Sequence, residues 1–434
     1  MTMRHTVPFT RSAPAAIVEP SVETPIYADV DVVVVGGGPA GVGAALSAAR
    51  AGAQTLLVER YGCLGGIWTA GLLNPYFDGA RKGGIPTEII DRLRHHGAAD
   101  AVQEWLPEVF VADVFDYEVM KYVLDRMAEE AGVRVLLYSM GVAAIVDDGR
   151  MQGVIVENKS GRSAILAEVV IDCTGDGDIA FHAGCDYEKG RPSDGLLQPM
   201  TLQFTVQGFQ WTPRPYEVMA KHNSPDDLAS IPFTDFAVVP VPGRGGLDAI
   251  MWTHMQRRDG TDADDLTAAV IEGRRQAHLA MRMFDNTPEF GEGHLISTAM
   301  QVGVRETRRI RGEYRLDFDD LVNGRTFDDG ICTATFPMDI HAPDDTKLTA
   351  TPVKPYQVPL RCLVPTGVDQ LLVAGRCISG SHEAHGSYRV TGNCVAMGEA
   401  AGLAAAEACR TGVDVRQLDG AKIKQLLRTR GVNV

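Results

Sequence analysis

Three glycines, Gly36, Gly38 and Gly41, form G-x-G-x-x-G directly after the apolar run at 32–35, and Glu59 ends the next apolar run. That order is the chemistry of a dinucleotide site. The first glycine permits a tight turn, the second admits a pyrophosphate close to the backbone, and the third lets helix and strand pack, while the helix N-terminus presents free N–H groups to the anion. Glu59 would accept from a ribose hydroxyl, and its charge would reject the extra phosphate of NADP. A bare glycine pattern also occurs in purely structural turns. Here strand, turn, helix, strand and acid fall in order, which favours a ligand but does not choose between FAD and NAD.

Further along, QVGVRETRRIRGEY puts Arg305, Arg308 and Arg309 at i, i+3, i+4 spacing on a helix expected over 297–311. One face of it would hold a carboxylate or phosphates in guanidinium forks, or would bridge domains through salt bridges with acids. The HEAH sequence at 382–385 is not the zincin HExxH, because its histidines are three apart, and no metal is expected. The eight cysteines include no CxxC pair, which argues against zinc ribbons and redox dithiols.

These groups need a scaffold. From Asp29 to Glu59 a β-branched run, a glycine turn, an alanine-rich helix and a second apolar run make a βαβ unit. Helical spacing follows at 86–97 and 115–131, and Gly132 stops the second helix before the strand VRVLLYS. Residues 141–172 read as a three-stranded meander with turns at Asp148-Gly149 and Ser160-Gly161. The stretch 186–360 is rich in proline and aromatic residues, with short strands and a helix at 262–285. We read it as a mixed α+β substrate or cap domain inserted in a nucleotide-binding domain of residues 29–185 and 361–434. Residues 1–28, with four prolines and no periodicity, read as a flexible arm.

Composition excludes other classes. Lys plus Arg count 41 against 56 Asp plus Glu, a net charge of -15, so nucleic acid is not an expected partner. No apolar run approaches the roughly 18 residues of a membrane helix, and no signal core precedes the first strand, so a soluble cytoplasmic protein is expected.

Longer stretches narrow the ligand. ERYGCLGGIWTAG resembles the second-glycine segment of FAD enzymes of the glutathione-reductase structural type, IDCTGDGDIAFHAG their later ATG-type segment, and LLVAGRCISGSHEAHGSYRVTGNCVAMGEAAGLAAA their C-terminal FAD segment. With KGGIPTEIIDRL, VGVRETRRIRGEY, FPMDIH and YQVPLRCLVP, residues 29–412 resemble the FAD-dependent oxidoreductase family, distantly related to heterodisulfide reductase flavin subunits. The implied fold is α/β, a Rossmann-type FAD-binding domain of glutathione-reductase type with the inserted cap.

The resemblance assigns FAD to Gly36, Gly38, Pro39, Ala40 and Gly41, with Glu59 and Arg60 at the adenosine ribose. It adds Gly65, Gly66 and Thr69 near the pyrophosphate, then Gly175 and Asp176, with Gly375 and Arg376 along the ribityl side. Gly392 and Asn393 would open a helix whose positive end stabilises the anionic reduced flavin. His382 and His385 would border the ring, where a neutral imidazole takes a substrate proton as hydride leaves. The alternative is that either ring hydrogen-bonds backbone in a tight glycine-rich turn. His341 and Arg389 would lie near the same cleft. Cys63 stands where covalent flavin attachment is conceivable, yet packing is its simpler role and a releasable flavin is expected.

Two departures exclude familiar chemistries. IWTAGL follows the double glycine where disulfide reductases carry CxxxxC, and no second G-x-G-x-x-G marks an NAD(P)H domain. A halogenase WxWxIP stretch is also absent. The reaction expected is oxidation of a C–H bond next to a hydroxyl or amine of a small molecule, with electrons passed to oxygen or another acceptor. C=C reduction, non-redox isomerisation and a non-catalytic flavoprotein are the alternatives, and association with further copies of the chain is compatible with this reading.

Overall fold

The computed structural model describes residues 21–79, 81–100, 112–234 and 236–434. Residues 1–20 of the expected arm therefore lie outside the described residues, whereas residues 26–28 extend the first strand.

That strand, Ile26–Val35, buries Val32, Val33 and Val34 completely, as a strand covered on both faces requires. It pairs in parallel with Thr55–Val58 on one side and with Gly161–Asp172 on the other. Arg134–Leu136 adds to Thr55–Val58, and Leu371–Val373 adds to the end of Gly161–Asp172, both in parallel. All these strands present their carboxyl ends at one edge. The long strand Gly161–Asp172 serves two neighbours, because its first half pairs antiparallel with Arg150–Asn158, which pairs in turn with Met140–Asp147. Asp148 and Gly149 both have positive φ, 45° and 75°, the type I′ geometry that the Asp-Gly turn predicts.

Two helices cover one face of this sheet. Pro39–Arg50 lies on Thr391–Thr411 with backbone nearly touching backbone: a Cβ added at Gly398 would stand 1.9 Å from the Ala40 carbonyl oxygen, and one at Gly402 2.1 Å from that of Ala44. Alanine and glycine are abundant there because larger residues do not fit. The helix expected at 115–131 runs Tyr117–Ala131, since Asp116 accepts from the Glu118 and Val119 amides as its cap. Gly132 ends it at φ 75°. The helix expected at 86–97 begins earlier, as Gly84–His95.

Residues 204–298 carry their own antiparallel sheet, in the order Ala237–Pro240, Leu247–Met251, Phe204–Gln207, His294–Thr298. The helix Ala263–Asp285 packs across it around Phe204, Trp252, Phe284 and Phe290. Ile310, Leu316, Ile331, Tyr356 and Val358, by contrast, join the core of the nucleotide-binding sheet.

One expected element is corrected. Residues 297–311 do not form a helix; Arg308–Ile310 is a strand paired with Tyr187–Lys189, and the Ile310 amide donates to the Cys377 carbonyl. The β-branched residues Val302, Val304, Thr307 and Ile310, with glycines at 303 and 312, weaken the helical option, and tertiary strand pairing decides the matter.

Two tests follow from this packing. Gly398→Val should force the helices apart and lower stability by about 1–3 kcal/mol or more, read as a drop in Tm; an unchanged Tm would refute the contact. Glu399, one residue on, is buried and accepts from the Ile85 amide at 3.0 Å, and burial raises its pKa from 4.5 to about 7. Because its folded value lies above its unfolded one, the stability it lends at low pH is lost as pH rises from 4.5 to about 7. Glu399→Gln should flatten that decline in pH-dependent unfolding, and identical slopes in both proteins would count against it.

Candidate active site

Every parallel strand delivers its first loop residues to one cleft. Val35 leads to Gly36, Gly38, Pro39 and Ala40, Val58 to Glu59, Arg60 and Tyr61, and the loop after Arg134–Leu136 to Ser139, Met140 and Gly141. Asp172 leads to Cys173, Thr174 and Gly175, and Val373 to Ala374, Gly375 and Arg376. This is the carboxyl edge at which open α/β sheets bind ligands.

The fingerprint turn is sterically fixed. Gly36 has φ 100°, and a Cβ on Gly41 would stand 1.7 Å from the Gly36 carbonyl oxygen. A Cβ on Gly38 would meet nothing within 4 Å, so Gly38 keeps open the space above the helix start rather than packing against protein. The helix Pro39–Arg50 has no side-chain cap, which leaves its first N–H groups to a ligand. The double-glycine loop is tied to this turn by the Gly65 amide donating to the Gly37 carbonyl at 2.8 Å. Thr69 steadies that loop, donating to the Leu64 carbonyl at 2.6 Å.

Glu59 is buried, and its carboxylate accepts from the Gly37 amide at 2.6 Å and the Tyr61 amide at 2.7 Å. Burial holds its pKa above the ordinary carboxylate value. Each oxygen retains a second lone pair for a ribose hydroxyl. Asp172 shapes the next loop, accepting from Thr174 and from the Ala180 amide, and burial raises its pKa to about 6. Asp176 stands behind the lining, where it holds Arg376 Nη2 at 2.9 Å and accepts from Thr307 at 2.8 Å.

Among the described residues, three donors in the cleft have no protein partner: Arg376 Nη1, Arg389 Nε and Thr391 Oγ1, all buried. Unpaired buried donors are costly, so the open space over Gly38 and these groups together fit an elongated, acceptor-rich, anionic ligand such as a flavin dinucleotide. The helix Thr391–Thr411 begins two residues before the expected start, again without a side-chain cap. Gly392 packs on the chain at Asp78, and Asn393 is fully buried beside Cys332 and Ser387. Neither lines the cleft, nor do Gly41, Gly65, Thr69 and Asp176. Cys63 lies 3.6 Å from Thr69 Oγ1, also outside the lining.

The expected glycine-rich turn around the histidines is a short helix, His382–Tyr388, capped by Ser381. Gly380 and Gly386 have no positive φ; they admit the Tyr388 ring and the strand at Asp339 and Ile340 respectively. His382 Nδ1 lies 2.9 Å from Glu306 Oε1, and His385 is buried with both ring nitrogens unpartnered. Neither histidine lines the cleft.

His341 belongs to a buried polar chain. His254 Nδ1 donates to the Trp252 carbonyl at 3.1 Å, His254 Nε2 stands 3.1 Å from His341 Nδ1, and His341 Nε2 is 3.5 Å from Asp339 Oδ2. Arg389 Nη2 donates to the same Asp339 oxygen at 2.8 Å, and Arg389 lines the cleft. Phe233 stacks on His254 with ring centroids 4.2 Å apart. Burial and the nearby Arg305 lower the His341 pKa to about 4, and burial carries that of His254 well down. Both rings are neutral at pH 7.

The three arginines separate. Arg308 bonds Asp178 and the Asp176 carbonyl, and Arg309 pairs with Glu306 while donating to the Gly380 and Gly190 carbonyls. Those two make bridging contacts of the structural kind. Arg305 has no carboxylate partner among the described residues and donates through Nη1 to the Pro199 carbonyl and Thr201 Oγ1.

Several lining residues escaped sequence reasoning: Tyr61, Ser139, Thr174, Gln301, Thr391 and Cys394. Only their position just after a parallel strand, or at the start of a helix, could have signalled the first three and Thr391. His254 carried no motif at all.

A stretch of 161 residues is 30% identical to thiamine thiazole synthase from Methanococcus vannielii, covering 34% of this chain and 56% of that protein. Another of 168 residues is 30% identical to digeranylgeranylglycerophospholipid reductase 2 from Methanopyrus kandleri, covering 34% and 38%. The matched region thus spans about half the length of these curated relatives or less. Among solved structures, p-nitrophenol 4-monooxygenase PnpA from Pseudomonas putida is similar over 91% of this chain and 84% of its own, at 13% identity and a TM-score of 0.49. The FAD dependent oxidoreductase family profile matches residues 31–427, nearly the whole sequence, and the chain belongs to that family of flavoenzymes.

Proposed function

We propose that the chain holds FAD extended along the carboxyl edge in the glutathione-reductase manner, and that it oxidises a C–H bond next to a hydroxyl or amine of a small molecule. Arg376, Arg389, Thr391 and the two uncapped helix starts would bind and orient the cofactor, and Glu59 its ribose. FAD, when bound, supplies a two-electron acceptor at N5. The cap would roof the ring and exclude water, which strengthens every charge interaction inside.

The observation that carries the reading is the direction of hydrogen bonding in the buried chain. The Trp252 carbonyl can only accept, so His254 Nδ1 carries the proton and its Nε2 accepts from His341 Nδ1. Neutral His341 therefore turns a bare Nε2 toward a carboxylate 3.5 Å away. That pair is one proton short, and we assign His341 the role of accepting the substrate's proton, with His254 and Asp339 fixing its tautomer. His382, held by Glu306, and His385 become positioning groups behind Arg309. A second reading, net reduction of the substrate, is favoured by the reductase name of one relative. Anaerobic mixing with candidate alcohols and amines separates the two, since bleaching of the flavin band requires substrate oxidation.

The protein should be yellow as purified, and Glu59→Ala should weaken FAD binding by about 1.5–3 kcal/mol through loss of a charge-assisted hydrogen bond. Fluorescence titration of the apoprotein measures this, and equal affinity would remove Glu59 from the cofactor. His341→Asn should slow flavin reduction by about 10²- to 10⁴-fold with FAD still bound. In the native enzyme the rate should be flat near neutrality and fall as pH approaches the His341 pKa of about 4; a native rate in the variant would move the base elsewhere.

A further inference from the structure

Arg305 is a half-buried charge for which neither the cofactor contacts nor the protein accounts. Among the described residues its Nη1 is the donor in use, on the Pro199 carbonyl at 2.6 Å and Thr201 Oγ1 at 2.8 Å. Nε and Nη2 donate to no protein atom, and the residue keeps partial exposure although protein surrounds it. Burial, reinforced by Arg389, lowers its pKa to about 9. An arginine in such surroundings is ordinarily matched by a carboxylate, because an uncompensated buried charge is strongly destabilising.

The neighbourhood does not provide that match. Arg305 and Arg389 act on each other and on Asp339, and Asp339 is already engaged by Arg389 and faces His341. Two guanidiniums thus share one carboxylate, and His254 and His341 are neutral. Arg305, Arg389 and Asp339 together carry one excess positive charge. Other groups around it are also unmatched: Gln198 Nε2, Asp339 Oδ1 and Arg389 Nε are buried without partners, and Gln198 is itself fixed by the His341 amide donating to its Oε1 at 3.2 Å. Gln301 and Ile67 connect the region to the cofactor cleft, since both line it and Gly303 lies against Ile67.

We infer that Arg305, with Arg389 beside it, forms the anion-binding end of the substrate chamber and that the substrate carries a carboxylate. Nε and Nη2 present the parallel N–H pair that a carboxylate accepts in bidentate fashion. A monoanion restores neutrality to the chamber, whereas a phosphate dianion would overshoot it. Thr201 and the Pro199 carbonyl act as positioning groups that hold the fork by its other end. The inference rests on the proposal that this chamber is where substrate meets the flavin, and it names the substrate class for that site.

The test titrates benzoate, benzamide and inorganic phosphate into the purified protein by calorimetry, with the flavin absorbance followed in parallel. Benzoate should saturate one site and perturb the flavin band, and benzamide and phosphate should bind at least tenfold more weakly. Arg305→Met should raise the benzoate Kd by roughly tenfold or more at unchanged FAD content. Equal affinity for benzamide, tighter binding of phosphate, or a benzoate Kd unaffected by Arg305→Met would each overturn the inference. Loss of FAD from the variant would also overturn it, by giving the guanidinium to the cofactor. Should Arg305→Met fail to fold, Thr201→Val removes one hydrogen bond from Nη1 and should weaken benzoate by roughly threefold; an unchanged Kd there is equally fatal. Calorimetry does not depend on colour, so Arg305-dependent benzoate binding to a colourless protein would uphold the anion site while refuting the flavin reading.

Discussion

The near contact of two backbones organises this molecule. Where the helix Pro39–Arg50 crosses Thr391–Thr411, carbonyl oxygens of Ala40, Ala44 and Val395 lie so close to Gly398, Gly402 and Gly43 that one added methyl group would collide with them. That approach brings the first nucleotide-binding turn within reach of groups more than three hundred residues later. Arg376, Arg389 and Thr391 share a cleft with Gly36 and Gly38 while these helices stand this close. Dispersion and burial of small side chains supply the attraction. Glycine supplies the distance.

Electrostatics is divided with similar economy. In a chain with a net charge of -15, arginines near the cleft serve different ends according to what faces them. Arg308 and Arg309 meet acids and carbonyls and join the segment 306–310 to its neighbours. Arg376 is held on one side by Asp176 and left open on the other. Arg389 divides itself between Asp339 and an unpaired Nε. Arg305 is hydrogen-bonded to no carboxylate among the described residues. Burial makes each of these differences large, since a charge without a partner in a low-dielectric interior is costly.

The histidines show how tertiary environment overrides chemical type. His382 and His385 lie in the segment that the sequence resemblance sets beside the flavin, yet one is bound to Glu306 and the other is enclosed with neither ring nitrogen hydrogen-bonded among the described residues. His341, one strand away, lies between an imidazole and a carboxylate. It is linked through His254 to the Trp252 carbonyl, a chain of contacts that no motif records.

Local order was legible in the residues themselves. The β-branched run before Gly36, the Asp-Gly turn at 148, the stop at Gly132 and the acid at 59 each act through short-range sterics or hydrogen bonding, so their types and spacing suffice to place them. The family resemblance likewise rested on contiguous segments. Long-range pairing was not legible: residues 297–311 have the spacing of a helix, but Tyr187–Lys189 and the Cys377 carbonyl offer a strand's partners, and the glycines at 380 and 386 look like turns while serving as clearances. The sequence by itself determined a dinucleotide-binding α/β protein and the turn that meets the ligand. Only the tertiary structure decided which arginine is hydrogen-bonded to a carboxylate and which histidine faces one, because partnership in a folded interior depends on atoms brought together from distant parts of the chain.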